Sequence, residues 1–214
     1  MSRIIDTGLE ELAVILVRIG DAAFEAVSLS LRSCLTGNDR HDHIRDLSET
    51  IASLAEKAEN KAFDLIARYQ PVASDLRTIE SYMKISNDFA RYGRYALDIS
   101  QICNRMGSMR ECDDWIFDYI DNLSKKVLTM AQTSIRALKY HDVELAGSIS
   151  ATEKEVDKMY FEFLEKLVKT ASATTQCTVA SVLVVRYLER IADHAVYVCE
   201  SLVYIVKGER VSLG

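Results

Sequence analysis

Apolar residues recur at alternating steps of four and three along most of this chain, the spacing of helices with one buried face. The cleanest stripe is the last: Val184, Leu188, Ile191, Ala195, Val198, Leu202 and Ile205. It reads as the seam of a helix packed in a bundle. No segment alternates apolar and polar residues long enough to predict a strand. The periodicity fails at "TGNDRHD" (36–42), "YQPVAS" (69–74), "RMGSMRE" (105–111), "KYHDVELAGS" (139–148) and "KTASATTQ" (169–176). Six helical segments of roughly 20 to 35 residues remain, lengths suited to a bundle. The third is predicted to contain 75–104 and the sixth 178–205. Gly107 lies almost at the midpoint, which predicts two copies of a three-helix unit, 1–107 and 108–214. The expected fold is all-α: two tandem three-helix bundles related by pseudo-two-fold symmetry.

The file beside the last seam reads Val185, Glu189, Ala192, Val196, Cys199, Val203 and Val206, and only Glu189 breaks it. A carboxylate there is at least half buried, and burying it without a partner costs several kcal/mol. Asp193 follows four residues later. A second pair, Glu153 and Asp157, heads a file that continues through Tyr160, Leu164 and Leu167. Like charges four apart on a helix repel by about 0.2–0.5 kcal/mol even when exposed. If the two helices pack antiparallel through a short loop, the pairs face each other across the seam. Four convergent carboxylates then form an oxygen-rich cage for a hard cation such as Mg, Mn, Ca or iron. A second reading of the same residues stands beside it. Arg186 and Arg190 can pair with Glu189 and Asp193, while Lys154 and Lys158 screen the upstream acids.

Composition narrows the field of functions. At 214 residues, with 49% hydrophobic and 27% charged residues, the chain has an ordinary globular profile. Its net charge of −6 argues against non-specific nucleic-acid binding. The longest apolar runs, "LAVILV" (12–17) and "CTVASVLVV" (177–185), each close on an arginine, well short of the roughly 20 residues of a membrane span. "MSRIIDTGLEEL" at the start lacks the apolar core of a signal peptide. Cys34, Cys103, Cys112, Cys177 and Cys199 are odd in number, scattered and free of any CxxC, so reduced thiols are expected. A cytoplasmic location follows. Asp39 and Asp42, beside His41 and His43, are expected to cap a helix rather than join a metal site. His194 follows Asp193 but projects about 100° away on an ideal helix, so it and Arg190 are candidates for contacting the acids from behind.

Two stretches carry a resemblance. "YLERIADHAVYVCESLVYIVKGE" (187–209) resembles the closing motif of the PhoU family, and "KAFDLIARYQPVASDLRTIESYMKISNDFARYGRYALDI" (61–99) is similar to the middle of a first PhoU repeat. The likeness covers essentially the whole chain and implies a PhoU-like fold of two three-helix repeats. It further implies that ExxxD or DxxxD pairs on adjacent helices bind a metal ion or cluster, with iron or zinc in the family. Carried over, the second repeat keeps both pairs: Glu153 with Asp157 and Glu189 with Asp193. The first repeat departs, with Ser48, Ala52, Ala90 and Arg94 at the corresponding places. One metal site is expected, not two.

The resemblance implies a non-enzymatic regulator of phosphate homeostasis, acting negatively on high-affinity phosphate ABC transport or its signalling. The implied partners are the phosphate ABC transporter and a sensor kinase, with the protein peripheral to the membrane and able to form a homodimer. The chain has no Walker A loop, GxSxG or Cys–His nucleophile arrangement, which suits a role without catalysis. Two alternatives remain. One is a carboxylate-bridged redox protein of helical-bundle type, which would need Glu-x-x-His on two helices, a motif this chain lacks. The other is a structural bundle without metal, its acids held in salt bridges.

Overall fold

The computed structural model describes residues 3–170 and 174–214, so the expected break at 169–176 lies partly outside the described residues, as do the first two. Helices α1 (Ile4–Thr36), α2 (His41–Tyr69) and α3 (Ala73–Met106) form the first half. A 3-10 turn (Met109–Glu111) leads to α4 (Asp114–Tyr140), α5 (Val143–Gly147), α6 (Ile149–Lys169) and α7 (Thr175–Lys207). Among the described residues there is no strand. The fold is all-α, as the periodicity predicts, and α3 and α7 contain the expected 75–104 and 178–205.

The breaks have local causes. Gly37 closes α1 in the left-handed conformation (φ 77°), its N–H donating to Ser33. Gln70 ends α2 at φ 45° just before Pro71, whose ring cannot continue a helix. In "ASDLR", Asp75 accepts from the Val72 N–H at 3.1 Å and so caps the start of α3. The same carboxylate takes two bonds from the Arg3 guanidinium, at 3.0 and 2.8 Å, tying the start of α1 to the start of α3. The Asp39 side chain accepts from the His41 N–H at 2.8 Å, so the caps expected at 39–42 include this one. One break held more structure than its sequence predicts. Asp142 accepts from the Leu145 N–H at 2.9 Å and nucleates the five-residue α5 inside 139–148, giving seven described helices where six segments were expected.

The halves pack alike. Helix α1 lies against α2 and α3; α4 lies against α6 and α7. Between the halves, α3 meets α7 and α1 meets α4, so these two pairs each face their own counterpart, as a two-fold relation predicts. One continuous core runs through both: Leu16, Ile19, Phe89, Tyr92, Phe163 and Leu188 are all fully buried within it.

The cysteines correct the sequence reading. Cys34 is disulfide-bonded to Cys103 and Cys112 to Cys177; Cys199 alone of the five is a free, buried thiol. The partners lie 69 and 65 residues apart, so no local spacing announces them. Helix ends bring them together: Cys34 and Cys103 occupy the last turns of α1 and α3, and Cys177 the first turn of α7.

Candidate functional site

Helices α6 and α7 are consecutive and antiparallel, which sets Asp157 level with Glu189 and Glu153 level with Asp193. The register shows in the electrostatics. Burial is the largest influence on Glu153, Glu189 and Asp193, and it pushes all three carboxyls above the usual carboxylate range. Charges add to it: on Glu153 first Asp157 of the same helix and then Asp193 across the seam, and Asp157 across the seam on both Glu189 and Asp193. The four acids therefore form one repelling cluster. Asp157 itself is exposed.

Arginines of α7 answer that repulsion. The Arg186 guanidinium donates to Glu189 Oε2 at 2.7 Å, and Arg190 donates to Asp193 Oδ2 at 2.8 Å. Arg186 also lies over the Tyr160 ring of α6, 5.7 Å from its centroid, so it spans the seam. Only 13% of the Glu189 side chain is exposed, whereas Arg186 is 45% exposed, so the bridge leads from a half-buried acid out to the surface. Lys158 turns away to Glu162. Among the described residues, no three His, Cys, Asp or Glu side chains are grouped closely enough to hold a metal ion. In chemistry the donor set fits a hard cation; in position, the two α7 acids are held by arginine.

His194 turns its ring nitrogens to α3 while its charge still acts on the adjacent Asp193. Its Nδ1 lies 2.8 Å from Asp88 Oδ1 in α3, and its Nε2 3.4 Å from the Tyr95 hydroxyl. Both Asp88 and His194 are buried at the interface of the halves. Burial raises the Asp88 carboxyl, against the pull of the His194 bond and the Lys84 and Arg91 charges. The Tyr95 hydroxyl also interacts with Arg190, so a polar path runs from Asp88 through His194, Tyr95 and Arg190 to Asp193. Sequence reading missed Asp88. The signal was present: it interrupts the file Ile85, Tyr92, Ile99 as Glu189 interrupts its own.

In the first half, Ala52 of α2 and Ala90 of α3 line one groove, of about 440 Å³, with Ser86 and Asn87 beside them and Glu56 and Glu59 farther along. Arg94 points to Asp98, at 4.0 Å. The four positions carry no carboxylate, so this groove lacks the facing acid pairs of α6 and α7.

Comparison with known proteins gives a consistent picture. The model of the PhoU domain matches this chain twice, at residues 16–103 and 120–202. A "Phosphate-specific transport system accessory protein PhoU homolog" from Clostridium acetobutylicum is 31% identical, over 99% of this chain and 98% of its own length. The crystal structure of PhoU from Pseudomonas aeruginosa superposes with a TM-score of 0.88 at 24% identity, covering 95% of this chain and 99% of that one. The phosphate transport system regulatory protein PhoU from Streptococcus pneumoniae gives a TM-score of 0.87 at 22% identity, covering 97% and 99%.

Proposed function

The chain belongs to the PhoU family, and from that premise we propose that it is a regulatory adaptor of phosphate transport. The observation that carries the reading is the end-to-end likeness to a phosphate-transport accessory protein. It acts negatively, restraining high-affinity phosphate ABC transport or its signalling, and it catalyses no reaction. Its partners are the transporter and a sensor kinase, met at the cytoplasmic face of the membrane, and it forms homodimers. Among the described residues no helix is long and apolar enough to cross a membrane, which accords with peripheral association. Each repeat, 1–107 and 108–214, is one working unit.

The second repeat carries the metal site in this reading. Glu153, Asp157, Glu189 and Asp193 hold one ion or cluster, of iron or zinc or of a hard cation such as Mg, Mn or Ca. When bound, the metal supplies the positive charge that four mutually repelling carboxylates call for. Arg186 and Arg190 hold the two α7 acids in its absence, a role their bridges to Glu189 and Asp193 support. Those same bridges favour the alternative of a metal-free bundle. Elemental analysis of protein purified without chelators separates the two: metal in the wild type and none in Glu189→Ala supports the site, and no metal in either removes it.

The regulatory reading has its own test. In cells deprived of their own PhoU, expression of this chain should restore repression of a phosphate-starvation reporter in high phosphate. A reporter that stays fully on, with the protein present and folded, rejects the adaptor role. In cells lacking the transporter, the protein should wash off membranes in salt.

A further inference from the structure

Four of the five cysteines gather around the single covalent link between the halves, residues 107–113. Cys34 and Cys103 have Cα atoms 5.3 Å apart, and Cys112 and Cys177 5.7 Å, both within the usual range for a bridge. The first bridge anchors the chain just before the link to α1, and the second anchors its far end to α7. Non-covalent contacts hold the same joint. Gln176 Nε2 donates to the Met106 carbonyl at 2.7 Å, and Met109 is fully buried against α1, α4 and α7.

Each bridge pairs a buried cysteine with a half-buried one. Cys34 and Cys177 are 1% and 7% exposed, whereas Cys103 and Cys112 are half-buried. A cleft of about 200 Å³, lined by Gly37, Asp39, Ser100, Cys103, Asn104 and Glu111, opens onto the first of these. Cys112 follows Glu111 directly and precedes Asp113 and Asp114. A small thiol can therefore approach Cys103 through the cleft, Cys112 is half-buried at the other bridge, and acidic neighbours beside both repel anionic reagents.

We propose that the two cysteine pairs are a reversible thiol–disulfide modification site that locks and releases the joint between the repeats. The reagent is a low-molecular-weight thiol and its disulfide. In reduction, an external thiolate entering the cleft attacks the Sγ of Cys103. The bond to Cys34 breaks, Cys34 leaves as a thiolate and takes a proton, and Cys103 carries the mixed disulfide. A second external thiolate attacks the outer sulfur of that mixed disulfide and releases Cys103. Two electrons have entered the pair, and one external disulfide has formed. Cys112 and Cys177 react in the same way, and oxidation is the reverse. With both bonds closed, the link is fixed to α1 and α7. With both open, non-covalent contacts, among them those of Gln176 and Met109, hold it, while the continuous core keeps the helices folded.

The experiment uses the intact wild-type chain in buffers of graded cysteamine and cystamine, so it does not depend on any variant folding. Alkylation followed by mass spectrometry counts the thiols, circular dichroism reports helix content, and amide hydrogen exchange reports the joint. Four thiols should appear pairwise as the buffer becomes reducing and disappear pairwise on reoxidation, with Cys199 unreactive and helix content constant. Exchange at 107–113 and 174–181 should be about tenfold faster in the reduced protein and unchanged in the middle of α3. The anionic glutathione couple should reach the same end states more slowly. Three outcomes overturn the proposal: bridges that yield only once the protein unfolds, thiols that stay unpaired in the oxidising buffer, or equal exchange at the joint in both states.

Discussion

Asp88 and His194 stand 106 residues apart in sequence and 2.8 Å apart in space, joining α3 to α7 through a buried hydrogen bond at the interface of the repeats. Removing either partner leaves the other without this bond in a largely buried site. Asp88→Ala should therefore destabilise the protein by about 1–3 kcal/mol. The double variant Asp88→Ala/His194→Ala should cost clearly less than the sum of the single changes. Chemical denaturation of the four proteins measures the coupling, and strict additivity would show that the pair acts as two independent residues.

The acid cluster predicts a pH dependence of definite sign. Glu153, Glu189 and Asp193 have folded-state carboxyls raised above their ordinary values, first by burial. Neighbouring acids add to it for Glu153 and Glu189, while on Asp193 the raising charge of Asp157 is opposed by Arg190, His194 and Arg186. A carboxyl with a raised folded pKa holds its proton more tightly when folded. Its contribution is most favourable below the unfolded pKa and is lost as pH rises through the folded one. In metal-free protein, Glu189→Gln should raise Tm by roughly 2–4 °C at neutral pH, the response to about 1 kcal/mol in a chain of this size. The gain should vanish toward pH 4. Melting curves across that range decide it.

Asp75 predicts the opposite slope. The Arg3 guanidinium, followed by the Val72 N–H, holds this carboxyl below its ordinary value against the effect of burial. Its contribution is present above the unfolded pKa and fades as pH falls through the folded one. Asp75→Asn should flatten the acid limb of the stability curve, and hydrogen exchange should show earlier fraying at the start of α3. An unchanged acid limb would contradict the assignment.

The two disulfides close loops that neither overlap nor nest, 34–103 and 112–177, so their effects should add. A loop of that length restricts the unfolded chain by about 4 kcal/mol in the chain-entropy model. Cys34→Ser/Cys103→Ser and Cys112→Ser/Cys177→Ser should each lower the denaturation midpoint, and the fourfold variant should fall by the sum. Urea titrations of oxidised protein provide the check.

How far the sequence disclosed this molecule depends on distance along the chain. Helix extents follow from local periodicity and capping, so 75–104 and 178–205 are legible before any coordinates. The five-residue α5 is not, because its stabilising cap, Asp142, sits inside a stretch otherwise rich in breakers. The acid pairs are legible because carboxylates interrupt apolar files, and Arg186 and Arg190 are legible as partners three residues away. What escapes is pairing across the fold. Asp88 with His194, and Cys34 with Cys103, depend on which helix faces meet, and a single sequence does not record that.

The interface of like with like, α1 on α4 and α3 on α7, has a further consequence. It is a dimer contact folded into one polypeptide, with the linker fixing the stoichiometry. In a true homodimer every substitution occurs twice, so neither protomer can change alone. Here each side mutates independently. Ala52 and Ala90 can stand on one face while Glu189 and Asp193 keep acids on the other. The fusion turns a symmetric scaffold into one that can present two different faces to its surroundings.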